Sequence, residues 1–398
     1  MTEPLPPPRL PFERPDPLRG APRLRALQAQ GPVHEIRTAC DDQALLVTGH
    51  REVRQLLADP RLGRSHPNPR SAARTGESVL FGGPLGDYET EEADRILMRD
   101  HLQPFFGPGR MRGLRTRVNA LAGTLLDGLA RQGPPADLVE ALAAPLPILV
   151  ICELLGVPYE DHAQFRAWTQ AAGDAGDRAR SERGLSDLFG YGRQLVARAR
   201  EHPGDDVISG LCAAGDISDE IIAGLSMFLL FAGHETTVTA ISMGALTLLS
   251  DRRQWQALRD NPALITATVE EMLRVLGKGG GGIPRYARED LEICGVQVRA
   301  GDLVLLDTGA ANHDPDAFSE PDGFDIARPA ASHLTFGHGP RYCIGAPLAR
   351  TQLRAVFSQL VRRFPGMRPA VPAEQLTLST GVFADAVSGG PTRLPVIW

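Results

Sequence analysis

The spacing of hydrophobic and polar positions divides the chain into helical and sheet-rich parts. Apolar residues recur with helical periodicity over about 91–276 and again over about 344–364, which predicts that helices form most of the structure. Shorter runs over about 32–64 and 283–310 alternate as paired strands do. No internal repeat and no linker separates a second core. We therefore predict one domain, residues 1–398, that is mainly α with a minor β region.

A long stretch without periodicity interrupts this pattern early in the chain. Residues 65–90 are rich in Ser, Asn, Pro and Gly, which is typical of an irregular loop. Irregular loops of this length in compact domains are usually functional. We expect residues 65–90 to act as a lid over a substrate.

Composition and charge are those of an ordinary soluble protein. The 398 residues are 42% hydrophobic and 23% charged, with a net charge of -6, so the basic excess of nucleic-acid-binding proteins is missing. Residues 1–25 are proline-rich and charged and have neither a signal-peptide core nor a membrane anchor. We expect a cytoplasmic, monomeric protein that binds neither membrane nor nucleic acid.

One of the five cysteines has unusual surroundings. The cysteines are widely spaced, with no CxxC pair, so their spacing predicts neither a disulfide framework nor a zinc finger. Cys343 lies among glycines and polar residues. The other four lie in mostly apolar surroundings and are interpreted as small buried hydrophobic residues, namely Cys40, Cys152, Cys212 and Cys294.

The segment around Cys343 reads FGHGPRYCIG over residues 336–345 and leads into a predicted helix. Pro347 suits the first helical turn, and the helix start would offer amides and a positive dipole end to a thiolate. A cysteine beside a helix start is ordinarily just a buried residue. Here, however, the aromatic, glycine, basic and cysteine positions resemble, in order, the haem-binding loop of cytochromes P450.

This resemblance implies the P450 fold, with haem b bound between a long central helix and the helix after the cysteine loop. Cys343 would be the thiolate ligand of the iron. Phe336 would pack beside the sulfur, and Gly337 and Gly345 would let the backbone approach the macrocycle. The basic position two residues before the cysteine is Arg341, where many bacterial members of the family carry histidine.

A long apolar helix carries an acid and an alcohol in its middle. Ser218 is a predicted N-cap, and helical character continues to about residue 249. Within it, His234, Glu235 and Thr236 follow a nearly all-apolar run, where burial without a partner would be costly. A solvated helix face is the alternative interpretation of these three residues.

The same segment resembles the acid-alcohol motif of cytochromes P450. The resemblance implies that Ala232 and Gly233 leave room for dioxygen, that Thr236 hydrogen-bonds to it, and that Glu235 delivers protons from solvent. Thr236 could also bond to the carbonyl one turn earlier and open the helix locally. This pair favours a reductant-driven monooxygenase over a peroxide-driven relative.

A third motif precedes the cysteine loop. Glu271 and Arg274 are three residues apart on a predicted helix, and by spacing alone they indicate only a weak surface ion pair. In this position they resemble the ExxR pair of the family, and Arg328 matches the arginine of its buried triad. These residues would stabilise the fold around the haem.

Cations for the two haem propionates are expected at the matching family positions. The resemblance implies Arg99, Arg285, His333 and Arg341. Arg95 stands where the family usually has histidine, and we include it as a further candidate. Solvated arginines are the alternative for Arg95 and Arg99.

The expected substrate pocket combines one side of the long helix with three loops. The glycine run 279–282 either makes room for a bulky substrate or is only a flexible loop. Besides residues 65–90, the predicted pocket residues are Phe228, Phe231, Ala232, Gly281, Gly282, Ile283, Val382 and Phe383.

The expected activity is hydroxylation or epoxidation of a bulky, largely apolar secondary metabolite, using O2 and electrons from a ferredoxin and a ferredoxin reductase. Oxidative C–C or C–N coupling on an aromatic peptide or cyclodipeptide is one alternative. A non-catalytic haem-binding protein and a haem-free helical binding protein are others. We predict that an acidic ferredoxin docks on a basic face formed by Arg110, Arg112, Arg115, Arg117, Arg350, Arg354 and Arg362.

Overall fold

The computed structural model describes residues 6–80, 82–174, 176–329, 332–378 and 389–398. Helices dominate this part of the chain, as the periodicity predicts. The α-helices are α1 Pro22–Gln28, α2 His50–Leu57, α3 Glu91–Leu102, α4 Pro108–Gln132, α5 Pro145–Leu155, α6 His162–Ala172, α7 Arg178–Glu201, α8 Val207–Ala214, α9 Asp219–Ser250, α10 Arg252–Asp260, α11 Ile265–Leu276, α12 Thr308–Ala311 and α13 Ala346–Arg363.

The strands are short and fall mainly in the two predicted sheet-rich parts. They are β1 Val33–Arg37, β2 Gln43–Val47, β3 Leu62–Gly63, β4 Ala136–Asp137, β5 Ile283–Ala287, β6 Leu291–Ile293, β7 Val296–Val298, β8 Leu303–Leu306, β9 Arg368–Pro369 and β10 Pro395–Ile397.

One five-stranded sheet joins the two sheet-rich parts of the sequence. Its strand order is β1-β2-β8-β5-β3. β2 and β8 run parallel with Leu46 opposite Leu305, and the other neighbours are antiparallel. β6 and β7 form a separate hairpin. A third sheet, β4-β10-β9, was not predicted, because strands of two or three residues are too short to show a period.

Helix α9 runs through the core and begins where the sequence predicts. The Ser218 side chain accepts a hydrogen bond from the Ile221 amide, and Asp251 ends the helix while capping α10. α9 packs against α5, α7, α11 and α13. By length and composition it could cross a membrane, but 56% of its most apolar window is buried inside the protein, as expected for a core helix.

The largest hydrophobic core contains residues from Leu102 to Val396, mostly from helices. Two smaller clusters lie against the five-stranded sheet, around Val304 and Leu305. The mainly α fold class with a minor β region is therefore confirmed, and the single domain stays a prediction. Among the described residues of 65–90 there is neither a helix nor a strand, as expected for the loop.

Candidate active site

The cysteine loop is a tight turn held by its own backbone. The Cys343 amide donates to the Phe336 carbonyl at 2.9 Å, and the Gly337 amide donates to the Leu334 carbonyl at 2.8 Å. Gly337 and Gly339 have φ of 74° and 71°, a conformation that favours glycine. A Cβ on Gly339 would also lie 2.8 Å from the Cβ of Ala58. The glycines therefore fix the loop against the end of α2.

The Cys343 thiol lines an internal space. The residue is accessible although it lies deep within the protein, which is the combination expected for the wall of a cavity. Burial raises the pKa of Cys343, while hydrogen bonds from the Gly345 and Ala346 amides and the charges of Arg99 and Arg350 lower it. The predicted helix amides thus reach the sulfur, but they only partly offset burial, so a bound metal cation would supply the remaining stabilisation of a thiolate.

Two arginines of α3 that were predicted to bind the haem propionates contact the cysteine loop. Arg99 Nη1 donates to the Tyr342 carbonyl at 2.5 Å. Arg95 donates to the Pro340 carbonyl at 3.3 Å and pairs with Glu92 at 2.5 Å. Both side chains thus lie against the loop, which disfavours the solvated alternative for them.

Three guanidinium groups gather beside this loop. Arg64, Arg285 and Arg341 lie close enough to interact electrostatically, and burial together with this repulsion lowers the pKa of Arg285 to about 9. Glu91 lies among them, and it pairs with Arg341 at 2.6 Å and with Arg288 at 3.3 Å. Positive charge therefore exceeds negative charge in a deep site, which calls for an anionic ligand.

Glu91 stays ionised in this cluster. Burial alone would raise the pKa of Glu91, but hydrogen bonds from the Ser65 hydroxyl and from the amides of Arg64 and Ser65, and the charge of Arg341, lower it to about 2. One carboxylate thus faces four guanidinium groups, those of Arg64, Arg285, Arg288 and Arg341, of which that of Arg285 is buried. A dianionic group such as haem with its two propionates fits this surplus, and Cys343 provides the iron ligand.

Arg64 is the residue that sequence reasoning missed. It follows β3, and pairing of β3 with β5 sets Gly63 opposite Tyr286, so Arg64 comes to lie beside Arg285. The two arginines are more than 200 positions apart in the chain. Because strand pairing at that separation leaves no local pattern, no motif could have identified Arg64.

His333 is placed differently from the prediction. Its Nε2 lies 3.2 Å from a Glu270 carboxylate oxygen, and its Nδ1 accepts a hydrogen bond from the Thr335 amide. Both ring nitrogens therefore have protein partners. The structure brings His333 to Glu270 rather than to the three arginines, because α11 presents that carboxylate directly under the loop.

The ExxR residues form the expected buried triad. Arg274 makes a two-pronged pair with Glu271, both contacts 2.8 Å long, and Arg328 Nε lies 3.1 Å from the same carboxylate. Arg274 also donates to the carbonyls of Asn312, Pro321 and Gly323. Spacing alone suggests a surface pair, whereas the structure shows a fully satisfied buried one that ties α11 to the segment before the cysteine loop.

The acid and the alcohol of α9 lie on a partly open side of the helix. Glu235 is 34% exposed, and its carboxylate lies 3.3 Å from Nδ1 of the buried His234. The Thr236 hydroxyl donates to the Ala232 carbonyl at 2.8 Å. The predicted local opening is wrong for this structure, since α9 continues without a break through both residues.

Gly233 does not provide the predicted space for dioxygen. A Cβ added to Gly233 would lie 2.9 Å from Cδ1 of Ile151, so this glycine lets α5 approach α9. Ala232 is one turn before Thr236 and is partly exposed, so it remains the small residue on the open side. Helix packing, rather than ligand space, explains Gly233.

The glycine run 279–282 is packed rather than open. Gly279, Gly280 and Gly282 all have positive φ, and a Cβ on Gly279 would lie 2.5 Å from Leu24. The buried Asp307 carboxylate accepts hydrogen bonds from the amides of this run, including Gly280 at 2.5 Å. Gly279 and Gly282 therefore lie in close packing rather than providing substrate space, and the hydrogen bonds to Asp307 disfavour a loose loop.

The remaining predicted pocket residues differ in their setting. Phe228 is exposed and Phe231 is buried, while Gly281 and Ile283 are partly exposed and Gly282 is buried against β8. Val382 and Phe383 lie outside the described residues. Within the described chain, no group of three or more His, Cys, Asp or Glu side chains could hold a metal ion.

Comparison with known proteins agrees with this arrangement. The family profile described as Cytochrome P450 matches residues 198–366. The chain is 42% identical over 397 residues to pentalenolactone synthase of Streptomyces exfoliatus, covering 98% of each chain. It is 37% identical to the mycinamicin IV hydroxylase/epoxidase of Micromonospora griseorubida, covering 94% of this chain and 95% of that protein.

A solved structure shows the same fold. The substrate-free cytochrome P450 PimD, a polyene macrolide antibiotic pimaricin epoxidase, superposes with a TM-score of 0.88 at 41% identity, covering 98% of this chain and 99% of that one. The chain therefore belongs to the cytochrome P450 family. It is a P450 oxidoreductase of the monooxygenase type, and its relatives include oxidases of secondary metabolism.

Proposed function

We propose that this protein binds haem b through Cys343 and hydroxylates or epoxidises a bulky, largely apolar secondary metabolite in the cytoplasm. The observation that carries the proposal is the deep, accessible Cys343 beside a buried surplus of arginines. When bound, haem supplies the activation of dioxygen with electrons from a reductant. Hydroxylation and epoxidation are named for relatives that the chain resembles over almost its whole length.

The residues of the chain would hold the cofactor from two sides. Cys343 would ligate the iron, and Arg64, Arg285 and Arg341 would neutralise the propionates by charge-assisted hydrogen bonds. Arg99 would add positive charge while it fixes the Tyr342 carbonyl. Phe336 would shield the sulfur side.

Glu235 and Thr236 would handle protons. Glu235 is exposed enough to exchange protons with solvent, and His234 lies against its carboxylate. In this structure the Thr236 hydroxyl donates to the Ala232 carbonyl. To relay a proton, it would exchange that hydrogen bond for one towards the open side, donating its own proton there and accepting another that comes from Glu235. The partial exposure of Glu235 and the adjacent hydroxyl of Thr236 support a relay from solvent through Glu235 to Thr236.

Exposed apolar side chains on and beside α9 support an apolar substrate. Ile221 and Phe228 are 41% and 46% exposed, and Phe189 of α7 is 39% exposed with its ring against Gly224. Large exposed apolar side chains clustered around one helix face mark a site that binds apolar ligands. A bulky metabolite would cover this surface.

The ferredoxin face is smaller than the sequence suggests. Arg110 pairs with Asp205, Arg117 with Glu153 and Arg350 with Glu270. Arg354 also lies within 4.0 Å of Glu270, so the arginines left for an acidic partner are Arg112, Arg115 and Arg362. Glutamate at Arg112 and Arg115 should slow reduction by ferredoxin, more so at low salt, with substrate affinity unchanged; an unchanged reduction rate would reject this face.

The spectrum of the reduced protein under carbon monoxide tests the central proposal. A red-shifted Soret band is expected for thiolate ligation, and Cys343→Ser should abolish it, whereas Cys152→Ser should leave it in place. A haem-loaded wild-type protein without that band would overturn the assignment of Cys343. A purified protein that takes up no haem would overturn the function as a whole.

A second experiment tests the proton relay. Thr236→Ala should retain the carbon monoxide spectrum but divert reducing equivalents to hydrogen peroxide, because the proton acceptor is lost. Thr239→Ala, a buried threonine one turn further along α9, is the matched control. Equal coupling of electrons to product in wild type and Thr236→Ala would contradict the relay.

A further inference from the structure

A charged cluster outside the ExxR triad holds the cysteine loop. Glu270 of α11 accepts two hydrogen bonds from Arg350 of α13, each 2.8 Å long, and a third contact from His333 at 3.2 Å. The Arg350 guanidinium lies over the Phe336 ring, 4.6 Å from its centroid, and donates to the Tyr342 hydroxyl at 3.2 Å. We call these five residues the Glu270 clamp.

The clamp acts on Cys343 through two residues that precede it in the chain. Phe336 accepts the Cys343 amide hydrogen bond through its carbonyl, and Tyr342 directly precedes the cysteine. Arg350 is therefore in contact with both residues that determine where Cys343 lies. The Arg350 charge also lies close enough to the sulfur to interact with it electrostatically.

This ion pair is not an ordinary surface pair. Arg350 and Glu270 are only 23% and 22% exposed. Burial alone would raise the pKa of Glu270, but hydrogen bonds from His333 and Arg350 lower it to about 2. The bidentate, partly buried pair of Arg350 and Glu270 has a fixed geometry. Its two opposite charges therefore lie at fixed positions beside the loop.

Other charged groups face the same region. Arg99 donates to the Tyr342 carbonyl, and Arg354, one turn after Arg350, lies 4.0 Å from Glu270. Arg354 is 42% exposed and does not contact the loop residues, so solvent weakens its effect. Arg95 also donates to the loop, at the Pro340 carbonyl, and Glu91 pairs with Arg341 of the loop itself. The clamp charges Arg350 and Glu270 thus act beside these groups and Arg99.

We propose that Glu270 and Arg350 are positioning residues that fix the Cys343 loop and set the reduction potential of the iron that Cys343 binds. The inference rests on the proposed ligation by Cys343. Reduction adds one negative charge to the bound cofactor. The positive Arg350 therefore favours the reduced state, and the negative Glu270 opposes it. The clamp is separate from Glu271, which points to the buried triad.

Opposite shifts in midpoint potential test this proposal. Arg350→Gln removes a positive charge and should lower the potential, whereas Glu270→Gln removes a negative charge and should raise it. The double variant should return towards the wild-type value. A purely structural role would instead move both single variants in the same direction, together with a common loss of the thiolate-ligated spectrum.

Arg363→Gln is the matched control, because it removes an ion-paired arginine from the same helix, with Asp127 as its partner. Its potential should stay at the wild-type value. If Arg350→Gln fails to retain haem, Arg350→Lys is the alternative. It keeps the positive charge but loses the bidentate hydrogen bonds to Glu270 and the stacking on the Phe336 ring. That variant should keep the potential while converting faster to the form that has lost thiolate ligation.

The outcomes separate the inference from the function beneath it. Absence of the red-shifted carbon monoxide band in the wild-type protein would refute the proposed ligation of the iron by Cys343. With that band present, shifts of equal sign in Arg350→Gln and Glu270→Gln, or none beyond that of Arg363→Gln, would overturn the clamp's role in the potential.

Discussion

Lys278 is the only lysine of the chain, and it is buried in a strongly basic environment. Lys278 lies just after the end of α11. Burial lowers the pKa of Lys278 to about 8. The charges of Arg274 and Arg25 lower it further, whereas the charge of Asp322 opposes the shift. The lowered pKa means that the folded environment disfavours the charged form of this lysine. At a pH where the lysine is still protonated, the folded state is therefore less stable. We predict that Lys278 destabilises the fold at neutral pH.

The size of the effect follows from the shift. The pKa falls from 10.5 to about 8, and one pKa unit corresponds to roughly 1.4 kcal/mol, so the cost is on the order of 3 kcal/mol at pH 7. Below about pH 8 both states carry the proton and the full cost applies. As the pH rises towards 10.5 the folded state loses the proton first, and about 2 kcal/mol is recovered by about pH 9.5.

Urea unfolding of wild type and Lys278→Met at about pH 7 and 9.5 measures this. Methionine keeps a similar length without charge, so the variant should be more stable at pH 7, and its advantage should shrink by about 2 kcal/mol at pH 9.5. Lys278→Arg is the control and should gain nothing with pH. Equal stability of wild type and Lys278→Met at pH 7, or a pH-independent difference, would refute the reasoning.

Three further predictions concern the haem site and its support. Arg64→Gln should speed haem transfer to an acceptor protein roughly tenfold or more, since a charge-assisted contact is worth about 1.5–3 kcal/mol; Arg61→Gln is the exposed control, and equal transfer rates would exclude Arg64 from the site. Glu271→Ala leaves the buried Arg274 charge unpaired and should cost about 3–5 kcal/mol of unfolding free energy, or prevent folding. A loss below about 1 kcal/mol in urea unfolding would contradict a buried triad. Gly339→Ala would place a Cβ at a residue with positive φ and close to Ala58, so it should lower the free energy of unfolding by about 1–3 kcal/mol. Gly113→Ala, at a position open to solvent, should not lower it.

The sequence by itself determined the helical bulk, the capped central helix and the three motifs. These features are local, because a cap, a helical period or a tight glycine turn depends on residues a few positions apart. In the structure, Ser218 caps α9 and Cys343 lies in a tight glycine-containing loop, as the sequence predicts. Pro347 likewise lies in the first turn of α13, as predicted.

Only the tertiary structure decided which distant groups share a site. Arg64 reaches Arg285 through strand pairing, His333 turns to Glu270, and Gly233 makes room for Ile151 rather than for a ligand. Each outcome depends on how elements far apart in the chain pack together. Long-range pairing leaves no period in the sequence, so the direction of a side chain across an interface is fixed only when the helices and sheets have come together.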